Sequence, residues 1–190
     1  MAEFGDAADG IVDIYHFLAE HQIAYERYDH PPVYTCEEAN RLCPVMPDEA
    51  ARTKNLFLRD KKGRHHFLVT VADEKTVDVK ALGTLLGVGN LSFASPERLQ
   101  KYLGLDPGAV TILGVVNDVD NAVEVIVDEE VWNAQAVRCH PLVNTSTLVI
   151  SQADMRRFLE ITGHAVRVLN IPEKMLNFTA ETQSTQRESM

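Results

Sequence analysis

No apolar run in these 190 residues approaches the roughly 20 that a membrane span requires, and the opening MAEFGDAADG lacks the basic stretch and apolar core of a secretory leader. Cysteine is scarce. Cys36, Cys43 and Cys139 are an odd number with no CxxC pair, which argues against a disulfide framework and against a zinc site of recognised spacing. Cys36 and Cys43 stand seven residues apart, so on a helix they would share one face as plain thiols. Positive charge is also short. Eighteen Lys and Arg against 28 Asp and Glu leave a formal net charge of −10, which argues against holding nucleic acid by bulk electrostatics. Common enzyme signatures are missing as well: GVGNLS lacks the third glycine of a dinucleotide fingerprint, and there is neither a P-loop nor a GxSxG elbow. The expectation is a soluble, cytoplasmic protein with reduced thiols and no membrane contact.

What is present is enough apolar content, 45% against 24% charged, to bury one ordinary domain core. Ile14, Phe17 and Leu18 recur at helical spacing and predict an amphipathic helix over 7–21. AYERYDHPP reads as a short strand ended by two prolines. Thr35 with Glu38 three residues on is a capping-box pattern that opens a short helix. NLFLRD and HHFLVTVA around KKG predict a β-hairpin over 55–72. DVKALGTLLG reads as a helix stopped at Gly87, and Ser95, Pro96 and Glu97 open another that runs to Gly104. AVTILGVVND, VEVIVDEE, AVRCHP and TLVIS read as four strands; Ser151 caps a last helix ending at Gly163, and AVRVLNIP is a closing strand. Strands and helices that do not alternate strictly predict an α+β class: one mixed domain over 1–173, built on a curved, mostly antiparallel sheet surrounded by helices. Residues 174–190 read as a polar, disordered tail.

Three stretches have the residue types for chemistry. Thr53, Lys54 and Asn55 open a strand whose next residues want burial, so Lys54 is either a solvated edge residue or a cation held near a pocket. DPGAVTILG, 106–114, has a Pro-Gly turn able to present backbone N–H groups to an oxygen. CHPLVNTST, 139–147, ends a strand on His140, with Asn144 beyond. Eight cations lie between residues 52 and 80, and Lys61, Lys62 and Arg64 at the hairpin tip are either a solvated turn or a basic patch on an acidic chain. His65 and His66 fall on opposite faces of a strand, so they do not share a metal and read as a hairpin surface feature.

Together, the lysine-asparagine pair at a strand start, the glycine-led loop ahead of ND, and the histidine of HPLVNTST resemble the YbaK/prolyl-tRNA-synthetase editing-domain superfamily. YDHPPVYTCEEA and HPLVNTSTLVIS bring the chain closest to the freestanding PrdX (ProXp-ala-like) branch, over roughly residues 10–170. The resemblance implies a trans-editing enzyme that hydrolyses the ester of a wrong amino acid on tRNA, for this branch alanine on proline tRNA. A synthetase pocket built for proline excludes a smaller amino acid poorly, and a second, smaller pocket corrects the error. It further implies that Lys54 and His140 are the catalytic residues, Lys54 as a cation at the pocket rim and His140 in its lining. Asn55, Gly108, Ala109, Val110, Thr111, Ile112 and Asn144 would bind substrate, largely through backbone groups of the loop. No metal and no cofactor is implied. The implied partner is the tRNA acceptor end, with Lys61, Lys62 and Arg64 as contacts. Prolyl-tRNA synthetase or an elongation factor would be met transiently, and the chain would act as a monomer. One departure stands out: the family loop is written GxxxP, and Ile112 holds the proline position, which bears on pocket size and so on the amino acid removed. The alternatives are a deacylase for serine, cysteine or threonine on tRNA, and a non-catalytic tRNA-binding relative.

Overall fold

The computed structural model describes residues 12–33, 35, 38 and 41–174. Cys36, residues 7–11 of the expected first helix, and the tail beyond Lys174 lie outside these. Glu38 N–H donates to Thr35 Oγ1 at 3.1 Å, the described half of the expected capping box.

The helix starts follow their capping chemistry. Asp13 accepts from the amides of Tyr15 and His16 at the start of α1, Ile14–Glu20. Asp78 does the same for Lys80 and Ala81 at α2, Val79–Leu86, which ends on Gly87 in the left-handed region. Pro96 opens α3, Pro96–Leu103, and Gly104 closes it. Glu129–Trp132 is a single turn, α4, and Ser151 accepts from Asp154 N–H to start α5, Gln152–Ile161.

The expected class holds, and its sheet is divided in two. Strands β1 (Tyr25–Asp29), β8 (Ser146–Ser151), β7 (Ala136–Cys139) and β2 (Ala50–Ala51) form one sheet in that order. The other has the order β5 (Leu91–Phe93), β3 (Thr53–Asp60), β4 (His66–Ala72), β6 (Val123–Asp128) and β9 (Val166–Leu169). The β3–β4 hairpin pairs Lys54 with Val71, Asn55 with Thr70 and Phe57 with Leu68. Beyond it, β4–β6 and β6–β9 are parallel, so the larger sheet is mixed. Every residue of β4 is buried, as expected of a central strand covered on both faces.

The main core lies between the two sheets, where Phe57, Leu68, Val125 and Val127 meet Val137, Leu148 and Ile150, with α1, α3 and α5 closing the ends. The opposite face of the larger sheet, with Leu58, Phe67, Val69 and Ile126, is covered by Leu82 of α2 and by Ile171. Thr53 Oγ1 donates to the Arg138 carbonyl at 2.7 Å, a direct link between β3 and β7 where the two sheets approach.

Two expectations are corrected. Residues expected to form a strand in AVTILGVVND instead make a 3₁₀ helix, Ile112–Asn117, with Thr111 Oγ1 accepting from Leu113 N–H at its start. A short, uniformly apolar run fits either a buried strand or a buried helical turn, and periodicity does not separate them. Gly114 settles the packing: a Cβ there would lie 2.6 Å from Leu105 Cδ1. Secondly, His66 is not a surface feature; it is 2% exposed and lies 4.1 Å from the Tyr102 ring centre to centre, beside Phe57.

Candidate active site

A cleft of about 410 Å³ opens where β3 and β7 come together. Thr53, Lys54 and Asn55 supply one wall from the first residues of β3. Arg138, Cys139 and His140 supply the second from the end of β7, with Thr147 of β8 beside them. Gly108 and Val110 of the loop after α3 line a third side, and the segment from Cys43 to Asp48 lines the fourth, with Val33. The sequence-predicted residues Lys54, Asn55, Gly108, Val110 and His140 are thus brought into one cavity from three distant parts of the chain.

Lys54 Nζ donates to the Asp73 carbonyl at 2.7 Å, which fixes the ammonium at the rim. One of its three N–H donors is engaged there, leaving two to face a ligand. The Thr70 hydroxyl donates to Asn55 Oδ1 at 2.8 Å, which leaves the amide NH₂ as the donor Asn55 can offer. Arg52, Lys54 and Arg138 outnumber Asp48 and Asp73 among the charged lining residues, so the cleft is locally cationic in an acidic chain.

His140 has a pKa pushed down to about 4, by burial first and by the neighbouring His30 second. Near neutrality it is an uncharged imidazole able to accept or donate one hydrogen bond, and a weaker base than the ordinary value of histidine implies. The His30 and His140 ring centres are 6.1 Å apart. His30 Nδ1 faces the Pro31 carbonyl at 2.8 Å and so carries the proton; Nε2, 3.0 Å from Thr147 Oγ1, accepts from that hydroxyl in the neutral ring. Burial raises the pKa of Cys139, and of Cys43 against a smaller opposing effect of Arg138. Neither thiol is therefore poised as a nucleophile. Among the described residues no group of three or more His, Cys, Asp or Glu side chains is placed to hold a metal ion.

The loop after α3 divides by side-chain direction. Gly108, at φ 93°, and Val110 face the cleft, whereas Ala109, Thr111 and Ile112 are 7%, 0% and 4% exposed and belong to the interior. The Ala109 amide donates to the Asp106 carbonyl at 3.1 Å. The Ile112 side chain packs in the core between the sheets, so it takes no volume from the cleft. Ile112 is the first residue of the 3₁₀ helix, a place where proline is equally at home because that N–H needs no helical partner. Asn144 also stands apart: its Nδ2 donates to the Val33 carbonyl at 3.2 Å, and its own carbonyl accepts from Val33 N–H at 3.2 Å. It positions a lining residue without lining the cleft. Lys61, Lys62 and Arg64 are at the other end of β3, about 23 Å from Lys54 to Lys61 at the rise of an extended strand.

Sequence reasoning missed Arg138, whose Nη2 donates to the Pro47 carbonyl at 2.9 Å and lies 3.5 Å from that of Met46, pinning the Cys43–Asp48 wall. The signal was the alternation of AVRC, in which Val137 and Cys139 point inward and Arg138 outward to the face that the wall covers. His30 and Thr147 lie within stretches already singled out, YDHPPVYTCEEA and CHPLVNTST, but carry no role of their own in the sequence reading.

The aminoacyl-tRNA editing domain profile matches residues 30–158 of this chain. The prolyl-tRNA editing protein ProX of Acetoanaerobium sticklandii is 40% identical over 154 residues, covering 81% of this chain and 93% of its own length. Prolyl-tRNA synthetase associated domain-containing protein 1 of Danio rerio is 34% identical over 180 residues, 90% of this chain and 94% of that one. The crystal structure of a candidate trans-editing enzyme for prolyl tRNA synthetase superposes with a TM-score of 0.61 at 19% identity, over 85% of this chain and 96% of that one; at that identity it shows a shared fold alone.

Proposed function

The chain belongs to the aminoacyl-tRNA editing domain family and is an aminoacyl-tRNA hydrolase; from that premise we propose that it acts in trans, cleaving the ester between alanine and the terminal ribose of proline tRNA. The observation that carries this reading is the meeting of Lys54, Asn55, Gly108, Val110 and His140 in one cationic cleft. The terminal adenosine enters past the rim, where Lys54 meets its phosphate or the ester oxygen. Water attacks the carbonyl carbon, and the charge that forms on the carbonyl oxygen is stabilised by the Lys54 ammonium and loop amides. The collapse of that intermediate breaks the ester C–O bond; the proton given up by the attacking water passes through the adjacent ribose hydroxyl to the departing ribose oxygen, and the free amino acid is left. His140, uncharged, orients the substrate or the water by one hydrogen bond. Asn55 holds the amino-acid end through its amide NH₂.

In this reading the lining residues Val33, Cys139 and Thr147, with the wall held by Arg138, set the size of the amino acid admitted. The partner is the acceptor end of the tRNA, met by a monomer in the cytoplasm; no described helix is long and apolar enough to cross a membrane. The test is deacylation of tRNA charged separately with alanine, serine, cysteine, threonine and proline. Rapid release of alanine from proline tRNA with the prolyl ester spared is the expected outcome. Preference for serine, cysteine or threonine would replace the substrate, and hydrolysis of none would place the chain among non-catalytic binders.

A further inference from the structure

A second concavity, of about 400 Å³, opens at the far end of β3. Arg59, Lys61, Lys62 and Arg98 line it with Gly63, Ser95 and the ring of Phe93, so four cations and no carboxylate face one space in a chain of net charge −10. Like charges gathered this way repel one another, and an anion between them relieves that repulsion.

The two arginines are held rather than loose. Arg98 Nη1 donates to Nε2 of buried His66 at 2.9 Å, and burial together with Arg98 lowers the pKa of His66, keeping its ring neutral and accepting. The Arg98 guanidinium packs against Gly63, where a Cβ would come within 2.8 Å of Nη2. Arg59 Nη1 donates to the carbonyls of Asp60 and Lys61 at 3.0 and 3.1 Å. The carboxylate nearest in sequence, Asp60, is 7% exposed and accepts from the amides of Lys62, Arg64 and His65, so it shapes the tip without neutralising it. Phe93, on edge strand β5, is 63% exposed at the border of this basic surface. An aromatic face beside fixed cations matches the two parts of a nucleotide, a base that stacks and a phosphate that pairs.

The placement favours one occupant. Asn55 of the cleft and Arg59 of the concavity are four residues apart on one face of β3, about 13 Å in an extended strand. That is the length of about four stacked nucleotides at ~3.4 Å each. Helix α3 runs the same course, with Ser95 and Arg98 at the concavity and Gly108 of the cleft a few residues past its end. We infer that the concavity is a nucleotide subsite for the tRNA, in which Phe93 stacks on a base near the junction of the unpaired 3′ end with the acceptor stem, and Arg59, Lys61, Lys62 and Arg98 meet the adjoining phosphates. The inference rests on the tRNA hydrolase reading of the cleft. Arg64, expected among the contacts, is not part of the lining.

Binding of uncharged proline tRNA, read by fluorescence anisotropy over a salt series, tests it, with deacylation of the alanyl ester measured beside it. Lys61→Ala/Lys62→Ala should bind about tenfold more weakly and flatten the slope of log affinity against log salt by about 1.4 to 1.8. Phe93→Ala should weaken binding about tenfold and keep the wild-type slope. All three side chains are exposed, and a thermal melt checks that the fold is retained. Unchanged affinity and slope in both variants, with hydrolysis intact, overturn the subsite alone. Weakened binding with no hydrolysis by the wild type keeps the subsite and removes the enzymatic reading. AMP titrated against the same proteins supplies the last arm: loss of AMP binding in the variants without loss of tRNA binding makes this a site for free nucleotide, and the inference falls.

Discussion

Replacing Lys54 by methionine keeps the length of the stem and removes the ammonium. In the folded protein this deletes one donor to the Asp73 carbonyl, a bond of 2.7 Å at a partly exposed rim, so the loss of stability should be about 1 kcal/mol. The catalytic loss should be much larger. An ammonium about 4 Å from the developing oxyanion, at an effective dielectric near 20, attracts it by about 4 kcal/mol. Solvent at the rim reduces that figure, which leaves a fall of roughly 10²- to 10³-fold in the chemical step. Single-turnover deacylation of alanyl proline tRNA at saturating enzyme isolates that step, and a melting curve on the same sample reads the fold. Lys54→Arg retains the charge but replaces a compact ammonium by a planar fork, and should recover activity only in part. A loss under about fivefold for Lys54→Met, or full activity in Lys54→Arg, would refute the role given to the ammonium. A large fall in melting temperature that accounts for the lost activity would refute it equally.

His140 should contribute no ionisation step between pH 5 and 7, because its pKa is pushed down to about 4; a step near 6.5 that vanishes in His140→Asn would overturn that assignment. The same shift links to stability. Between about 4 and 6.5 the unfolded chain binds the extra proton, so the contribution of His140 is fully present above 6.5 and is lost as pH falls toward 4, by up to about 3 kcal/mol, and His140→Asn should flatten denaturation midpoints over that window. Arg138→Met should release the Cys43–Asp48 wall at a cost of about 1–3 kcal/mol. Hydrogen exchange at the Ala50 amide, bonded to the Pro47 carbonyl at 3.1 Å, should speed up and KM for tRNA should rise, and unchanged exchange would count against Arg138 as the clasp.

The parts of the molecule that could be read in advance are those with local chemistry. Asp and Ser caps, Pro96, Gly87 and Gly104 mark helix ends within a few residues, and the KKG link marks the hairpin. Lys54, Asn55, Gly108, Val110 and His140 were found together because their spacing followed a family pattern. The rest depends on contacts distant in sequence. Division into two sheets depends on which face of β3 meets which layer, and within the helical turn Ile112–Asn117 Gly114 passes close under Leu105, a contact distant from any local pattern. His66 reads as exposed beside His65 and Arg64 until α3 brings Arg98 and Tyr102 over it. Asn144 acts through Val33, 111 residues away, and no local signal announces that.

The pairing of β3 with β4 has a consequence for error. A slip of one residue would bring Arg59 into the apolar layer under α2 that Leu58 now fills, and would turn Phe57 out of the opposite layer. It would also turn the Lys54 ammonium away from the rim. The misaligned chain is therefore rejected on apolar grounds before any substrate is met. Phe57 and Leu58, which line neither concavity, act as proofreaders of the lysine's aim, and hold the first residues of the strand in step from its middle, while the tip at its far end carries a concavity of its own.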